Sequence, residues 1–446
     1  MSGSTSITPK QRTAGTIARR SVLTGAAATI AAAGTAGRAA AQPTHHRPGG
    51  HRATDWVGSW AASPSAVPAT ALTRLQDQTI RNVVKLSLGG PALRIRLSNE
   101  FGDAALRVGE VRVARRAGST GTDSRPATDR PVRFGGSASV LIPAGAPAVS
   151  DPVDLDLPDG AELVISIYLP ERTPISSVHS YALQENAIAA GNVTSDRSLT
   201  PTDRPQQWWL LSEISVRTRS EPASIIALGD SITDGGKSTV GANHRWPDEL
   251  AKRLRSDRRG EDLGVINAGI SGNRLLFDPN PPAGSDAEAF ALYFGPSALR
   301  RFDRDVLAQP GACFLITLLG VNDLGHPGTV APVSETVTAD EIIAGHRQLI
   351  SRAHDAGLKA FGGTIMPFKD DTLGFWNETN GAKRNAVNAW IRSSGEYDAV
   401  IDFAEATADR SDPDRLASRY DSGDGLHPND AGCAAMAAAV PLKLFR

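Results

Sequence analysis

Two periodicities divide the chain. Between Asp55 and about Val216, apolar residues recur at every second position. Leu93, Ile95 and Leu97 alternate with Arg94 and Arg96, Val153, Leu155 and Leu157 repeat the pattern, and Leu163, Ile165, Ile167 and Leu169 follow. A period of two puts alternate side chains on opposite faces of a pleated strand, so these stretches read as half-buried strands separated by Gly, Pro, Asp and Ser breaks. Many short strands without a long helical pattern predict an antiparallel β-sandwich or jelly roll over 55–218. From Pro222 the rhythm changes. Ser224-Ile225-Ile226-Ala227-Leu228 is almost continuously apolar, as a parallel strand covered on both faces requires. Further strands at 264–266, 314–319, 358–365 and 399–403 alternate with helices at 246–254, 298–307, 339–356, 382–391 and from about Asp430. That alternation predicts an α/β domain, a doubly wound and mostly parallel sheet, over 222–446.

Composition narrows the function classes. The 446 residues carry 47 Lys+Arg against 48 Asp+Glu, which leaves no broad basic field for nucleic acid and no acidic one for cations. The only cysteines, Cys313 and Cys433, are too few for a disulfide framework and lack metal-ligand spacing. They read as buried small apolar side chains, with a single bridge left open. Arg19-Arg20-Ser21-Val22-Leu23, a weakly apolar run to Gly37 and the small residues Ala39-Ala40-Ala41 read as a twin-arginine export signal over 1–41. Val22 stands where such signals prefer Phe. The expectation is a secreted protein whose signal is removed near Ala41, followed by a solvated linker over 42–54. No later stretch approaches a membrane span.

Open α/β sheets bind ligands beyond the C-terminal ends of their strands. Four polar clusters fall there: Gly229-Asp230-Ser231, then Asn267-Ala268-Gly269-Ile270-Ser271-Gly272-Asn273, then Gly320-Val321-Asn322-Asp323, and Asp424-Gly425-Leu426-His427-Pro428 before the last helix. Gly235-Gly236-Lys237-Ser238 mimics the end of a phosphate loop. A Walker loop, however, needs glycine five residues before Gly236, and that position is Ser231. Ser231 instead has a possible base in His427, and Asp424 three residues earlier can hold the other ring nitrogen. Ser231, Gly272 and Asn322 come from three different strands and can offer N–H donors to one alkoxide. Asp230 reads as a brace for its loop, and Asp234, Arg274 and Asp323 as residues shaping the pocket. His179, His244, His326, His346 and His354 join no recognisable constellation.

The four stretches GDS, ISGN, GVND and DGLHPN resemble, in order and spacing, the blocks of the SGNH or GDSL hydrolase superfamily, over Pro222 to Arg446. With the β-rich module opening on WVGSWAASP, the whole is similar to secreted GDSL-type esterases of high-GC bacteria. The resemblance implies a flavodoxin-like SGNH fold. It implies Ser231 as nucleophile, His427 as base and Asp424 as its partner, with the Ser231 and Gly272 N–H groups and the Asn322 amide as oxyanion hole. It implies a serine ester hydrolase that uses no cofactor and no metal and acts on a small-molecule or polysaccharide ester. Two other readings stay open: an acyltransferase using the same site, and a carbohydrate-binding protein whose catalytic half is vestigial. Trp56, Trp60, Trp208 and Trp209 read as core or junction packing, with sugar stacking as the alternative. Loops at 277–291 and 325–337 flank the expected rim and are expected to set specificity. Acyl length, the alcohol half of the substrate and oligomeric state are not written in these motifs.

Overall fold

A computed structural model describes residues 55–218, 221, 223–257 and 263–445. The export signal and linker expected over 1–54 lie outside the described residues. The period-two half forms two five-stranded sheets. One orders Trp56–Ala61, Leu211–Arg217, Gly90–Asn99 and Ala146–Val149, with Val153–Leu157 also on Gly90–Asn99. The other orders Ala187–Ala190, Gln78–Lys85, Glu162–Leu169, Glu110–Arg115 and Arg130–Val132. Every pairing in them is antiparallel. Leu93, Ile95, Leu97 and Ile214 meet Ile80, Leu163, Ile165 and Ile167 in one core, as the alternation anticipates for a sandwich.

The other faces depart from the half-buried expectation. Arg81 is wholly buried on the outer face of the second sheet. Its guanidinium donates to Ser166 Oγ at 2.8 Å and to the Asp196 carbonyl at 2.7 Å, so the segment around 191–197 roofs that face. Strand Trp56–Ala61 is buried along its whole length because it lies against the α/β half. A Cβ on Gly264 would fall 2.0 Å from the Gly58 carbonyl oxygen, so glycine is required where the two backbones meet. Val265 N–H, on the edge of the α/β sheet, donates to Ser87 Oγ at 2.9 Å. An otherwise open sheet edge is thereby covered. All four tryptophans named above are buried, which leaves them no face for a sugar. Trp60 and Trp208 meet edge to face at 5.0 Å. The described residues form one compact unit.

In the α/β half the strand order is Leu263–Gly269, Ala223–Gly229, Ala312–Leu318, Lys359–Gly363, Ala399–Ile401, and all pairings are parallel. In chain order this is 2-1-3-4-5, whose direction reverses beside the first strand and opens a crevice at its C-terminal end. Helices Trp246–Ser256 and Asp430–Ala439 pack together on one face. Ala298–Phe302, Ala339–Asp355 and Glu378–Ser393 cover the other. Several boundaries differ from expectation: the strand expected over 264–266 spans Leu263–Gly269, the helix expected over 382–391 spans Glu378–Ser393, and the last two strands end early. The fourth strand stops at Gly363, and the fifth stops at Ile401 because Asp402 caps a short helix, Phe403–Thr407, by accepting from Glu405 N–H. Cys433 is buried, Cys313 is half-buried, and they are separate thiols. Among the described residues no helix is long and apolar enough to cross a membrane.

Candidate active site

Gly229 ends the first strand, and Ser231 opens a four-residue helix, Ser231–Asp234. Asp230 caps it: its Oδ1 accepts the Ile232 N–H at 3.0 Å. A helix start leaves its first N–H groups without intrahelical partners, so the Ser231 N–H is available to an anion. The helix is stopped at once by Gly235 at φ 100°, and the N–H groups of Gly235 and Gly236 both return to the Ser231 carbonyl, at 2.9 and 2.7 Å. The glycine pair that imitates a phosphate loop therefore fixes the serine. Gly236 also makes room: a Cβ there would stand 3.0 Å from His427 Cδ2.

His427 comes from the far end of the chain. Its Nε2 lies 2.8 Å from Ser231 Oγ and its Nδ1 2.8 Å from Asp424 Oδ2. A carboxylate can only accept, so Nδ1 carries hydrogen and Nε2 is left to accept from the serine hydroxyl. Asp424 is itself held: Oδ1 accepts the N–H groups of Leu426 at 3.0 Å and His427 at 2.8 Å. Burial opposes its charge, yet the His427 ring and these two N–H groups outweigh that and hold the carboxyl well below its ordinary range. The three-residue separation thus lets one carboxylate pin both the backbone and the ring of the histidine.

Gly272 adopts φ +78°, and a Cβ there would fall 2.0 Å from Phe294, so only glycine fits. Asn322 donates one amide hydrogen to the Asn273 carbonyl at 2.9 Å, which orients the amide and leaves its second hydrogen. Ser231, Gly272, Asn322 and His427 line one cavity of about 340 Å³. Its remaining wall is mostly apolar, with Phe294 and Phe375 inside and the partly exposed Phe290 and Leu373 at the mouth. His326 stands between Phe294 and Phe375, its ring centroid 5.2 and 5.6 Å from theirs. Burial, helped by Arg274, pushes its pKa down to about 3, so this imidazole is neutral.

The structure brings Ser231, His427, Asp424, Gly272 and Asn322 to one place. It sets the three supposed pocket-shaping residues behind that place. Asp323 accepts the N–H groups of Leu275 at 2.8 Å and Leu276 at 3.0 Å. Arg274 donates to the Asp278 carbonyl at 2.5 Å and to Glu335 Oε2 at 2.6 Å, which ties the loop at 277–291 to the loop at 325–337. Asp234 binds Ser271 through both its N–H and its Oγ, at 2.9 and 2.7 Å. Two residues escaped the sequence reading. Arg301, wholly buried, donates to the carbonyls of Gly229 and Ala268 and to Asn273 Oδ1 at 2.9, 2.7 and 3.0 Å, joining the ends of two strands to the loop bearing Gly272. His179, which matched no constellation, contacts Asp234 across 55 residues of sequence, and local spacing carries no trace of that. Arg301 sits in a run of arginines and aspartates that reads as a solvated helix face. Among the described residues no group of three or more His, Cys, Asp or Glu side chains is disposed to hold a metal ion.

Residues 227–435 match the model of the GDSL-like lipase/acylhydrolase family. No curated protein matches the chain. Among solved structures, a carbohydrate acetylesterase from Sinorhizobium meliloti is 16% identical, covering 50% of this chain and 98% of its own, with a TM-score of 0.37. A putative lipolytic protein of the G-D-S-L family from Desulfitobacterium hafniense is 18% identical, with coverage of 49% and 97% and a TM-score of 0.34. An acetylxylan esterase from Geobacillus stearothermophilus is 20% identical, with coverage of 49% and 91% and a TM-score of 0.35.

Proposed function

We infer that this chain, whose residues 227–435 belong to the GDSL-like lipase/acylhydrolase family, is a carboxylic ester hydrolase that works through Ser231 and a covalent acyl-enzyme. The observation carrying this reading is the unbroken chain Ser231 Oγ, His427 Nε2, His427 Nδ1, Asp424 Oδ2, with both links at 2.8 Å. In the proposed sequence Ser231 Oγ attacks the acyl carbon while His427 Nε2 takes its proton. Asp424 stabilises the imidazolium that results. The oxygen that becomes an alkoxide turns toward the N–H groups of Ser231 and Gly272 and the Asn322 amide, each such donor being worth about 3 kcal/mol. His427 returns its proton to the departing alcohol, then takes one from water, whose attack on the acyl-enzyme frees the acid and Ser231. The twin-arginine motif at Arg19-Arg20 supports export as the setting.

The same cavity supports a reading of the acyl group. A wall of Phe290, Phe294, Phe375, Leu373, Val330 and Leu426 gains free energy from apolar surface. The proposed substrates therefore carry an acyl chain longer than acetyl. Each methylene buried contributes about 0.8 kcal/mol, roughly fourfold in kcat/KM. With p-nitrophenyl esters, kcat/KM should climb from acetyl through butyryl to hexanoyl, and Ser231→Ala should lower kcat by at least about 10⁴-fold on every member. An optimum at acetyl would overturn the acyl assignment. Undiminished turnover by the Ser231 variant would overturn the mechanism.

A further inference from the structure

Asp234 is the last residue of the short helix that begins at the nucleophile. Its two carboxylate oxygens face opposite ways. Oδ2 accepts the N–H and Oγ of Ser271 at 2.9 and 2.7 Å, and Ser271 immediately precedes Gly272. Oδ1 lies 2.9 Å from Nε2 of His179, a residue of the β-rich half in strand Ser177–His179. Nδ1 of that ring lies 2.9 Å from the Ser63 carbonyl. Both ring nitrogens thus face oxygens that can only accept, which calls for the doubly protonated ring. Burial disfavours that charge and Arg245 repels it, but the Asp234 carboxylate and the Ser63 carbonyl win and raise the pKa above the ordinary histidine value. Both side chains are at most 4% exposed, and Trp208 packs on the imidazole at 5.5 Å. Beside the pair, at the junction of the two halves, lies a cavity of about 280 Å³ that Ser231 and His427 do not touch.

We propose that His179 is a positioning residue for the oxyanion donors: from the β-rich half it holds Asp234, which holds Ser271 and so sets the Gly272 N–H against Ser231. The proposal rests on the serine-hydrolase reading and gives the β-rich half a part in catalysis. The physical reason is the cost of a buried carboxylate. With three donors Asp234 has one stable pose, and without His179 its buried Oδ1 turns toward whatever donor remains, carrying Ser271 with it. Sub-ångström misplacement at a reacting centre is felt in turnover more than in binding, because the alkoxide forms only in the transition state.

Two variants of similar polarity separate positioning from packing. In H179Q the side-chain amide reaches as far as Nε2 and can still donate to Asp234. In H179N it is too short and keeps only the Ser63 side. With an ester that wild type turns over, H179N should lose about 10- to 100-fold in kcat with KM within about twofold, and H179Q should stay within about threefold of wild type. Ser271→Ala should also lower kcat, and its combination with H179N should cost less than the product of the two. If the Asn and Gln variants behave alike, equally active or equally impaired, His179 does no more than pack and the proposal falls. Ser231→Ala run beside them keeps the two readings apart: undiminished activity there removes the serine mechanism and this proposal with it, whereas an inactive Ser231 variant alongside equal Asn and Gln variants removes this proposal alone.

Discussion

Asp230 acts on Ser231 through the backbone, as the cap that starts the helix at that residue. The triplet Gly229-Asp230-Ser231 made that brace legible, but its burial was not, because nothing local says which carboxylates the fold will cover. Burial raises the Asp230 carboxyl to about 7 against the Ile232 N–H and His427, with the charge of Asp323 adding to the rise. Burial likewise raises Asp323 to about 6. Unfolded, both titrate near 4. A carboxyl that holds its proton more tightly when folded contributes stability that is fully present below about pH 4 and is lost as pH rises through 6 to 7. Asp230→Asn keeps an oxygen for Ile232 and removes one of these titrations. Urea unfolding across pH 4 to 7 should therefore show a shallower fall of stability in the variant than in wild type, and parallel curves would contradict the assignment.

The elements that matter most are the turns where strands end. Three of the four polar clusters could be placed at strand ends from periodicity alone, since a parallel strand's apolar run stops where its polar loop begins, and the fourth stands just before the last helix. Spacing could not show the cross-ties between loops: Arg301 to Gly229 and Ala268, Asp323 to Leu275 and Leu276, Glu335 to Arg274. Arg274 and Asp323, expected to shape the pocket, hold its loops from behind and do not line the cavity. The turn at Gly235 and Gly236 shows how little slack this leaves. A methyl at Gly236 would stand 3.0 Å from the His427 ring and 3.2 Å from the Ser231 carbonyl. Gly236→Ala should push the ring away from the hydroxyl, lowering kcat on the order of tenfold with the melting temperature held within a few degrees. A wild-type kcat would show that the ring has more freedom than the packing allows.

Across the whole molecule, the two periodicities became two cores inside one compact unit. Alternation along each strand identified the sandwich but not its covered outer faces. Those depend on which distant segment roofs Arg81 and on Gly58 meeting Gly264, and pairings so far apart leave no periodic mark. The residues that meet at the candidate site were legible because the chemistry expected of them demands particular side chains in those polar clusters, while the contact that ties Asp234 to the β-rich half runs through His179. The proposed mechanism has one centre, a Ser231 hydroxyl made nucleophilic by His427. Its most direct test treats the intact chain with a fluorophosphonate and locates the adduct by mass spectrometry. A single adduct on the peptide containing Ser231, formed at least about 100-fold more slowly in His427→Ala, is the predicted result. An adduct on any other residue, or equally fast labelling without the histidine, would contradict the account.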